Sequence, residues 1–221
     1  MEAGSRAITL SLMAETTPLY QIRLAVRSEL EDIAAGDSVL VAASGGADSS
    51  ALAVALLLEC KAKSIKVIAL IIDHGLQKNS ADVTHETKRT LTKIGYENIE
   101  IRRVTVEITD GLEASARRAR YQALSEVANS HNAVAIFLGH TKDDQAETVL
   151  LGLSRGSGSR SLSGMAARVD RYRRPLLAIT RAQTEAACEE AGIKFWQDPH
   201  NQSMEFTRVR VREVVLPTME K

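Results

Sequence analysis

The sequence is poor in the residues on which small secreted and metal-binding proteins depend. Its 221 residues include only two cysteines, Cys60 and Cys188, and these do not form a C-x-x-C pair. Two cysteines so far apart favour free thiols in a reducing compartment over a disulfide. The five histidines lack the spacing of a zinc site, and no H-E-x-x-H occurs. These absences argue against a disulfide-stabilised or zinc-dependent protein.

Long apolar runs and a net charge are missing as well. The longest unbroken apolar run, Ala51–Leu58, is too short to span a bilayer. The opening segment Met1–Leu12 is broken by polar residues and makes a poor signal peptide. The 28 basic and 28 acidic residues balance to zero, so overall charge indicates neither membrane nor nucleic-acid binding. We therefore predict a cytoplasmic protein that does not contact membranes.

Charge is nevertheless unevenly distributed along the chain. Between Leu150 and Arg181, seven arginines accompany a single acid, Asp170. This local excess would suit a polyanion, although many arginine-rich stretches are simply solvated faces. The pattern alone leaves both interpretations open.

Strand-like and helix-like segments alternate along most of the chain, and 44% hydrophobic residues are enough for one sizeable core. The predicted strands are 37–43, 65–72, 98–106, 133–139 and 193–196. The predicted helices are 19–35, one from the glycine turn to about Lys61, 80–94, 111–131, 143–154 and 180–191. Such alternation favours an α/β fold: a doubly wound, mostly parallel five-stranded sheet with helices on both faces and a small basic C-terminal extension.

The segment Ser44–Ser49, with the sequence Ser-Gly-Gly-Ala-Asp-Ser, joins the first predicted strand to the next helix. Adjacent glycines permit positive φ angles and remove side chains that would block a ligand. The N–H groups at the helix start would then face the turn and bind phosphate or pyrophosphate. No Walker A lysine is present, so amides, a metal ion or distant arginines must meet the phosphate charge. The alternative is an ordinary tight turn whose helix is capped by Asp48 or Ser49.

Two further polar loops follow predicted strands, Asp73-His74 after the second and His140–Asp144 after the fourth. In a parallel sheet these loops meet at the carboxyl edge, where ligands bind. A carboxylate there can hold Mg²⁺ against phosphates or accept a proton from an amine. A structural alternative is that Asp144 caps the following helix and Glu147 completes a capping box.

Ser44–Ser49 resembles the pyrophosphate loop of the N-type ATP pyrophosphatases, which cleave ATP to AMP and pyrophosphate while adenylating an oxygen. Further matches follow in order: Asp73-His-Gly-Leu76, Glu113-Ala-x-Ala-Arg117-x-x-Arg120-Tyr121, Gly139-His-x-x-Asp-Asp-Gln-x-Glu-Thr148, Arg155-Gly-Ser-Gly158, Leu162-Ser-Gly-Met165, Arg174-Pro-Leu-Leu177 and the tail Asp198-x-x-Asn201…Arg208-x-Arg210-x-Arg212. Together, over about residues 38–217, they are similar to the tRNA(Ile)-lysidine synthetase family. The resemblance implies an adenine nucleotide alpha hydrolase-like fold.

The resemblance also implies an activity. Members of that family attach free L-lysine to C2 of the wobble cytidine in the isoleucine tRNA with a CAU anticodon. ATP first adenylates the C2 oxygen and pyrophosphate departs, and the lysine ε-amine then displaces AMP to give lysidine. A chain with this activity would be an ATP-dependent ligase that uses ATP as co-substrate and Mg²⁺ as cofactor.

Carried over residue by residue, the resemblance implies roles for individual side chains. The catalytic residues would be Asp48, His140, Asp143 and Arg120, with Asp48 also the candidate Mg²⁺ ligand. ATP would be bound by Ser44, Gly45, Gly46, Ala47, Asp48, Ser49, Asp73 and His74. The tRNA and lysine would be bound by Arg117, Arg120, Asp143, Asp144, Arg155, Arg174, Arg208, Arg210 and Arg212. Asp143 is the better candidate to attract the lysine ammonium group, whereas His85, His131 and Trp196 are predicted to have no functional role.

For the domain organisation we expect a flexible leader over residues 1–17 and a PP-loop catalytic domain over residues 18–221. Its last part, 180–221, would be a helical and basic subregion, with no separate C-terminal tRNA-binding domain, whereas many family members continue further. Val209, His200 and Thr141 depart from the residues usual in the family.

Two alternatives remain at this stage. One is another PP-loop adenylating enzyme such as a tRNA thiolase, although the two cysteines do not provide the usual pair. The other is a non-catalytic module that binds ATP or AMP. The sequence leaves the oligomeric state open, a homodimer included.

Overall fold

A mixed sheet flanked by helices positions every loop discussed below. The computed structural model describes residues 17–73, 75, 80–105, 111–156, 163–196, 204 and 207–219. The strands are β1 (Ser38–Ala42), β2 (Lys66–Asp73), β3 (Ile99–Arg103), β4 (Ala133–Phe137), β5 (Arg168–Val169) and β6 (Tyr172–Arg173). The helices are α1 (Pro18–Ser28), α2 (Ala47–Lys63), α3 (Ser80–Ile94), α4 (Leu112–Ser130), α5 (Lys142–Ser154), α6 (Arg181–Glu190) and α7, which joins α-helical Thr207–Arg210, π-helical Val211–Val215 and α-helical Leu216–Met219.

The order of the strands places a switch point beside β1. Across the sheet the order is β3-β2-β1-β4-β6-β5, and all neighbours are parallel except the β5–β6 hairpin. From β1 the chain moves outward to β2 and β3, then crosses back to β4 on the other side of β1. In open sheets of this type, ligands bind outside the carboxyl ends of the strands at such a switch. Here those ends lead into the loops around Ser44 and His140.

Burial of β1 explains why it lies at the centre. Val39, Leu40 and Val41 are fully buried, as expected of a strand covered on both faces. Val39 and Val41 pack with α1, α2 and α6 on one face, whereas Leu40 packs with α4 on the other. Because side chains alternate along a strand, this division confirms that helices cover both faces of the sheet.

The fold class predicted from the sequence is confirmed, but the strand list needs correction. Residues 193–196 do not form a strand. The sheet instead gains a hairpin, β5 and β6, whose two-residue strands are too short to give a periodic signal in the sequence. The described part of the chain therefore contributes six strands rather than five. The first helix also ends at Ser28, and turns continue from there to Gly36.

Other predictions about the whole chain can be compared with the described residues. No helix among them has the length and apolar character needed to cross a bilayer. Cys60 and Cys188 are both buried and free, as the sequence predicts. Burial raises the pKa of each thiol to about 12, so neither forms a thiolate at neutral pH.

Candidate active site

The turn before α2 leaves the start of that helix open. Gly45 has φ +86°, and a Cβ atom there would lie 2.3 Å from the Thr87 hydroxyl of α3. Gly46 is the N-cap of α2, and no side chain caps the helix. The Ser49 hydroxyl instead braces the turn by accepting from the Ser44 N–H at 3.1 Å and donating to the Gly46 carbonyl at 3.1 Å. Neither Asp48 nor Ser49 therefore acts as the cap that the structural alternative required.

The loop after β4 packs directly against the first turn of α2. A Cβ atom on Gly139 would lie 3.1 Å from the Asp48 carbonyl carbon and 3.2 Å from the Ser49 Cα. Glycine is needed at this position because the two backbones approach so closely. The contact places the next residue, His140, beside the turn that holds Ser44 to Ser49.

These segments share one cleft of about 810 Å³. The predicted site residues that line it are Ser44, Gly46, Ala47, Asp48, Ser49, Asp73, Arg120, His140, Asp144, Arg208 and Arg212. The predicted residues that do not line it are Gly45, Arg117, Asp143, Arg155, Arg174 and Arg210. His74 lies outside the described residues. The fold thus brings most of the predicted ATP-binding residues together in the cleft, but fewer than half of the arginines predicted to bind the tRNA and lysine.

Asp48 is held by side chains from α6. Arg181 Nη2 lies 3.3 Å from Asp48 Oδ2, and the Thr184 hydroxyl donates to Asp48 Oδ1 at 2.5 Å. Burial raises the pKa of Asp48 despite the nearby Arg181 cation. Asp143 Oδ2 accepts the backbone N–H of Arg181 at 2.9 Å, so Asp143 fixes the start of α6.

A capping box closes the start of α5, but not the one anticipated. The N-cap is Thr141, whose backbone N–H donates to Asp144 Oδ2 at 2.8 Å. Asp144 is therefore the third residue of the helix rather than its cap, and Glu147 does not belong to the box. Asp144 lines the cleft while it holds Thr141.

His140 is kept uncharged by its surroundings. Its Nδ1 atom is buried, with no hydrogen-bond partner among the described residues. Burial, and then the positive charge of Arg120, lower the pKa of His140 to about 4. At neutral pH the ring is therefore a neutral imidazole, able to donate one hydrogen bond and accept another.

Tyr121 on α4 gathers three arginines next to His140. The guanidinium groups of Arg117 and Arg120 lie 4.9 Å and 5.7 Å from the centre of its ring. Its hydroxyl accepts from Arg117 Nη2 at 3.3 Å and from Arg174 Nη2 at 3.4 Å. The Nε atoms of Arg120 and Arg174 are buried with no partner among the described residues. Cations collected in this way favour an anionic ligand.

Glu147 ties α7 to the cleft wall. It is fully buried on α5, and Arg212 Nε donates to its Oε1 at 2.7 Å. Arg208 Nη1 lies 3.6 Å from the other carboxylate oxygen. Arg210 instead donates to the Met204 carbonyl at 2.9 Å, and Arg155 is exposed at the end of α5. Two of the three tail arginines thus hold α7 against α5 at the rim of the cleft.

Comparison with known proteins places this geometry in a family. A protein-family model described as "PP-loop domain" matches residues 19–219, which is most of the chain. The chain belongs to the PP-loop family. Membership implies ATP binding.

Curated relatives of this PP-loop chain share close to half of its residues. The chain is 46% identical over 204 residues to tRNA(Ile)-lysidine synthase from Thermobifida fusca (strain YX), covering 92% of the chain and 63% of the relative. It is 50% identical over 186 residues to the protein of the same name from Streptomyces coelicolor, covering 83% and 53%. The chain thus spans between about half and two thirds of the length of these relatives.

A solved structure shows the same fold. The U34-tRNA thiolase NcsA from Methanococcus maripaludis, solved with its iron–sulfur cluster, superposes with a TM-score of 0.76 over 92% of this chain and 73% of its own. Only 18% of the aligned residues are identical. At that level of identity the likeness establishes the PP-loop fold and nothing about chemistry.

The PP-loop cleft also contains residues that sequence reasoning missed. They are Thr87, Glu147 as an ion-pair partner, Arg181 and Trp196. Thr184 was also missed: it does not line the cleft but donates a hydrogen bond to Asp48, which does. Trp196 was predicted to have no role, yet it lines the cleft and its N–H donates to the Gly45 carbonyl at 2.8 Å. No local signal marks these residues, because each meets its partner from a different element of the fold.

The described residues offer limited support for a metal held by protein alone. No group of three or more His, Cys, Asp or Glu side chains among them is arranged to bind a metal ion. Magnesium bound with ATP usually needs only one or two carboxylates, the phosphates and water supplying the other ligands. Asp48 and Asp144 both line the cleft and fit that smaller requirement.

Proposed function

We propose that this chain catalyses lysidine formation: the ATP-dependent ligation of free L-lysine to C2 of the wobble cytidine in the isoleucine tRNA with a CAU anticodon. The observation that carries the proposal is the single cleft in which the open start of α2 lies beside His140, Asp144 and Arg120. The names and identities of the curated relatives support the choice of substrates. An enzyme of this kind is a ligase that forms a carbon–nitrogen bond.

The first step is adenylation of the cytidine. The C2 oxygen attacks the α-phosphorus of ATP, the bond to the bridging oxygen breaks, and pyrophosphate leaves. The departing charge develops at the start of α2, where N–H groups uncapped by any side chain stabilise an anion. Gly45 shapes this cradle, because its φ of +86° disfavours any other residue and a Cβ atom there would overlap Thr87.

The second step is attack by the lysine ε-amine on C2, with AMP as the leaving group. The ammonium form must first lose a proton, so a carboxylate near the reacting carbon is required. Asp143, favoured from the sequence, uses one oxygen to accept the Arg181 N–H. Its neighbour Asp144 lines the cleft, and comparing Asp143→Asn with Asp144→Asn identifies the proton acceptor.

The cytidine and its RNA would be held on the side of His140. Neutral His140 can hydrogen-bond a cytosine edge without adding charge to the leaving oxygen. Arg117, Arg120 and Arg174 around Tyr121 suit phosphates of the RNA backbone, which position rather than specify. The exposed Arg155 and Arg210 would extend these contacts along the tRNA.

Magnesium would reach the site with ATP. Asp48 and Asp144 would hold it against the phosphate oxygens, and the ion would neutralise charge on the departing pyrophosphate. Asp48 is already contacted by Arg181 and Thr184, so metal binding requires these contacts to rearrange.

The rival activities have less support. Sulfur transfer by a thiolase would need reactive thiols, whereas Cys60 and Cys188 are buried and their pKa values are raised to about 12. A module that only binds ATP would not require the cations around Tyr121 or a buried neutral histidine beside the nucleotide. A cytoplasmic location and the tRNA and lysine partners belong to the same proposal.

The deciding experiment supplies purified protein with ATP, labelled lysine and the CAU isoleucine tRNA. We expect label in RNA and equal release of AMP and pyrophosphate, and no label with a tRNA of another anticodon. The full-length Thermobifida fusca relative serves as the positive control. Transfer from sulfide instead of lysine, or ATP binding without turnover, would favour the rival activities.

A further inference from the structure

The glycine turn before α2 has no lysine of its own, yet the pyrophosphate part of ATP carries several negative charges. Backbone N–H groups contribute only about half a positive charge at a helix start. Besides a magnesium ion, a cationic side chain from elsewhere in the fold can supply the remaining positive charge at this turn. The cationic side chains lining the cleft are Arg120, Arg181, Arg208 and Arg212.

Three of these four arginines already have other roles in the described structure. Arg208 and Arg212 pair with the buried Glu147 at the rim of the cleft. Arg120 lies over the ring of Tyr121, next to His140. Arg181 differs because its guanidinium lies beside α2 itself, in contact with Asp48.

The contact between Arg181 and Asp48 is incomplete. The 3.3 Å separation is longer than the roughly 2.7–2.9 Å of a good charge-assisted hydrogen bond. The Arg181 Nε atom is buried, with no hydrogen-bond partner among the described residues. Asp48 has a second partner in the Thr184 hydroxyl, so it keeps a hydrogen bond if Arg181 moves away.

The base of the Arg181 side chain is fixed while its end is loosely held. Its backbone N–H donates to Asp143 at 2.9 Å, which anchors the start of α6. Asp48 is the second residue of α2, so a guanidinium that reaches Asp48 also reaches an anion bound by the first N–H groups of the helix. A small rotation of the side chain would exchange one anion for the other.

We propose that Arg181 is a phosphate-binding residue that leaves Asp48 and contacts the pyrophosphate part of ATP when nucleotide binds. It takes the place of the lysine that Walker A loops carry, although it is 133 residues from Asp48 in the sequence. This inference rests on the ATP-binding half of the proposed function and not on lysine transfer.

The test measures binding of ATP, AMP and inorganic pyrophosphate by calorimetry, without tRNA or lysine. We expect Arg181→Met to weaken ATP and pyrophosphate binding about 10- to 100-fold and AMP binding much less, since one charged hydrogen-bonding group is lost. Arg181→Lys, which keeps the charge, should lose less. The matched control is Arg168→Met, because Arg168 pairs with Glu29 and does not line the cleft.

A second measurement separates phosphate contact from simple neutralisation of Asp48. In magnesium-free buffer, pyrophosphate binding is compared between Asp48→Asn and the double variant Asp48→Asn/Arg181→Met. If Arg181 touches phosphate, the double variant binds about tenfold or more weakly than Asp48→Asn.

Two results would overturn the proposal: unchanged ATP and pyrophosphate affinity in both Arg181 variants, or equal affinity of the double variant and Asp48→Asn. Neither result depends on lysidine formation. An enzyme inactive with lysine but sensitive to Arg181→Met in pyrophosphate binding would contradict the proposed reaction alone.

Discussion

Three helices begin at the same cleft, and they begin in different ways. Helix α5 starts with a capping box in which Thr141 and Asp144 satisfy each other's backbone N–H groups. Helix α6 does the same with Thr180 and Gln183. Helix α2 starts at Gly46 with no side-chain cap at all. Two ends are completed within the protein, and the third is left for a ligand.

The contrast separates stability from function. A side-chain cap stabilises a helix over a glycine N-cap by only a few tenths of a kcal/mol, so leaving α2 uncapped at Gly46 gives up little stability. The three ends are in mutual contact, through Asp143 to Arg181 and through Arg181 to Asp48. The capped ends of α5 and α6 therefore contact the open end of α2 through Asp143, Arg181 and Asp48. Substitutions can remove the difference between the uncapped start of α2 and the capped starts of α5 and α6, or measure its size.

The largest effect should follow from Gly45→Ala, which removes the turn that keeps α2 open. Its φ of +86° strains any other residue, and the new Cβ would overlap the Thr87 hydroxyl at 2.3 Å. Strain and overlap together should destabilise the protein by about 2–5 kcal/mol and abolish ATP binding. Denaturant unfolding and ATP titration measure the two losses.

A matched control for this variant is Gly36→Ala. Gly36 has φ +91° with no atom near its missing Cβ, so it reports strain without overlap. Adding Thr87→Ala to Gly45→Ala should recover the part due to overlap. Equal stability of the Gly45 and Gly36 variants would show that Thr87 does not constrain the turn.

The free energy of unfolding contributed by His140, the residue just before the N-cap of α5, should depend on pH. His140 has a folded pKa of about 4, below its usual unfolded value of about 6.5, so the unfolded state binds the extra proton first. Stability is therefore fully present above about pH 6.5 and lost as pH falls towards 4, by at most about 3 kcal/mol. The readout is the difference in unfolding free energy between wild type and His140→Gln, followed from pH 7 to pH 4. A difference independent of pH would mean that His140 is not held neutral.

Gly46→Asp should convert the open end into a capped one. Gly46 has extended backbone angles suited to an N-cap, and its Cβ position is 3.9 Å from the nearest atom, so a side chain fits. The carboxylate would occupy the N–H groups of α2 and repel phosphate. We expect ATP affinity to fall about 100-fold, or about 2.7 kcal/mol, while the helix gains a few tenths of a kcal/mol. A variant that binds ATP normally would show that nucleotide does not use the start of α2.

The open end was the part most readily predicted from the sequence. Ser44–Ser49 and His140–Asp144 are short motifs directly after buried strands, and parallel topology brings such loops together. Their partners were not predictable in this way. Arg181 meets Asp48 across 133 residues and Arg212 meets Glu147 across 65, so no local period records either pair.

Contacts between residues distant in sequence also explain where the predicted strands differ from the observed ones. β5 and β6 are two residues each, too short for alternation to be seen, and they exist because β6 pairs with β4. Residues 193–196 look strand-like but lie against the glycine turn, where Trp196 bonds to Gly45. The sequence equally permits a capping box from Asp144 to Glu147, three residues after the one that the structure forms from Thr141 to Asp144, because Asp and Thr are both common N-cap residues.

The smallest expected effect is a difference in lysine transfer between variants that lack the N-cap of α5 and variants that lack the N-cap of α6. Thr141→Ala and Thr180→Ala each remove an N-cap hydroxyl, and each should cost about 1 kcal/mol of unfolding free energy. Thr141 also orients Asp144, which lines the cleft, whereas the partner of Thr180, Gln183, does not. Lysine transfer should therefore fall further in Thr141→Ala than in Thr180→Ala at equal loss of stability. Equal losses of transfer would mean that the α5 cap serves only to hold the helix, and that Asp144 needs no help from Thr141 to face the cleft.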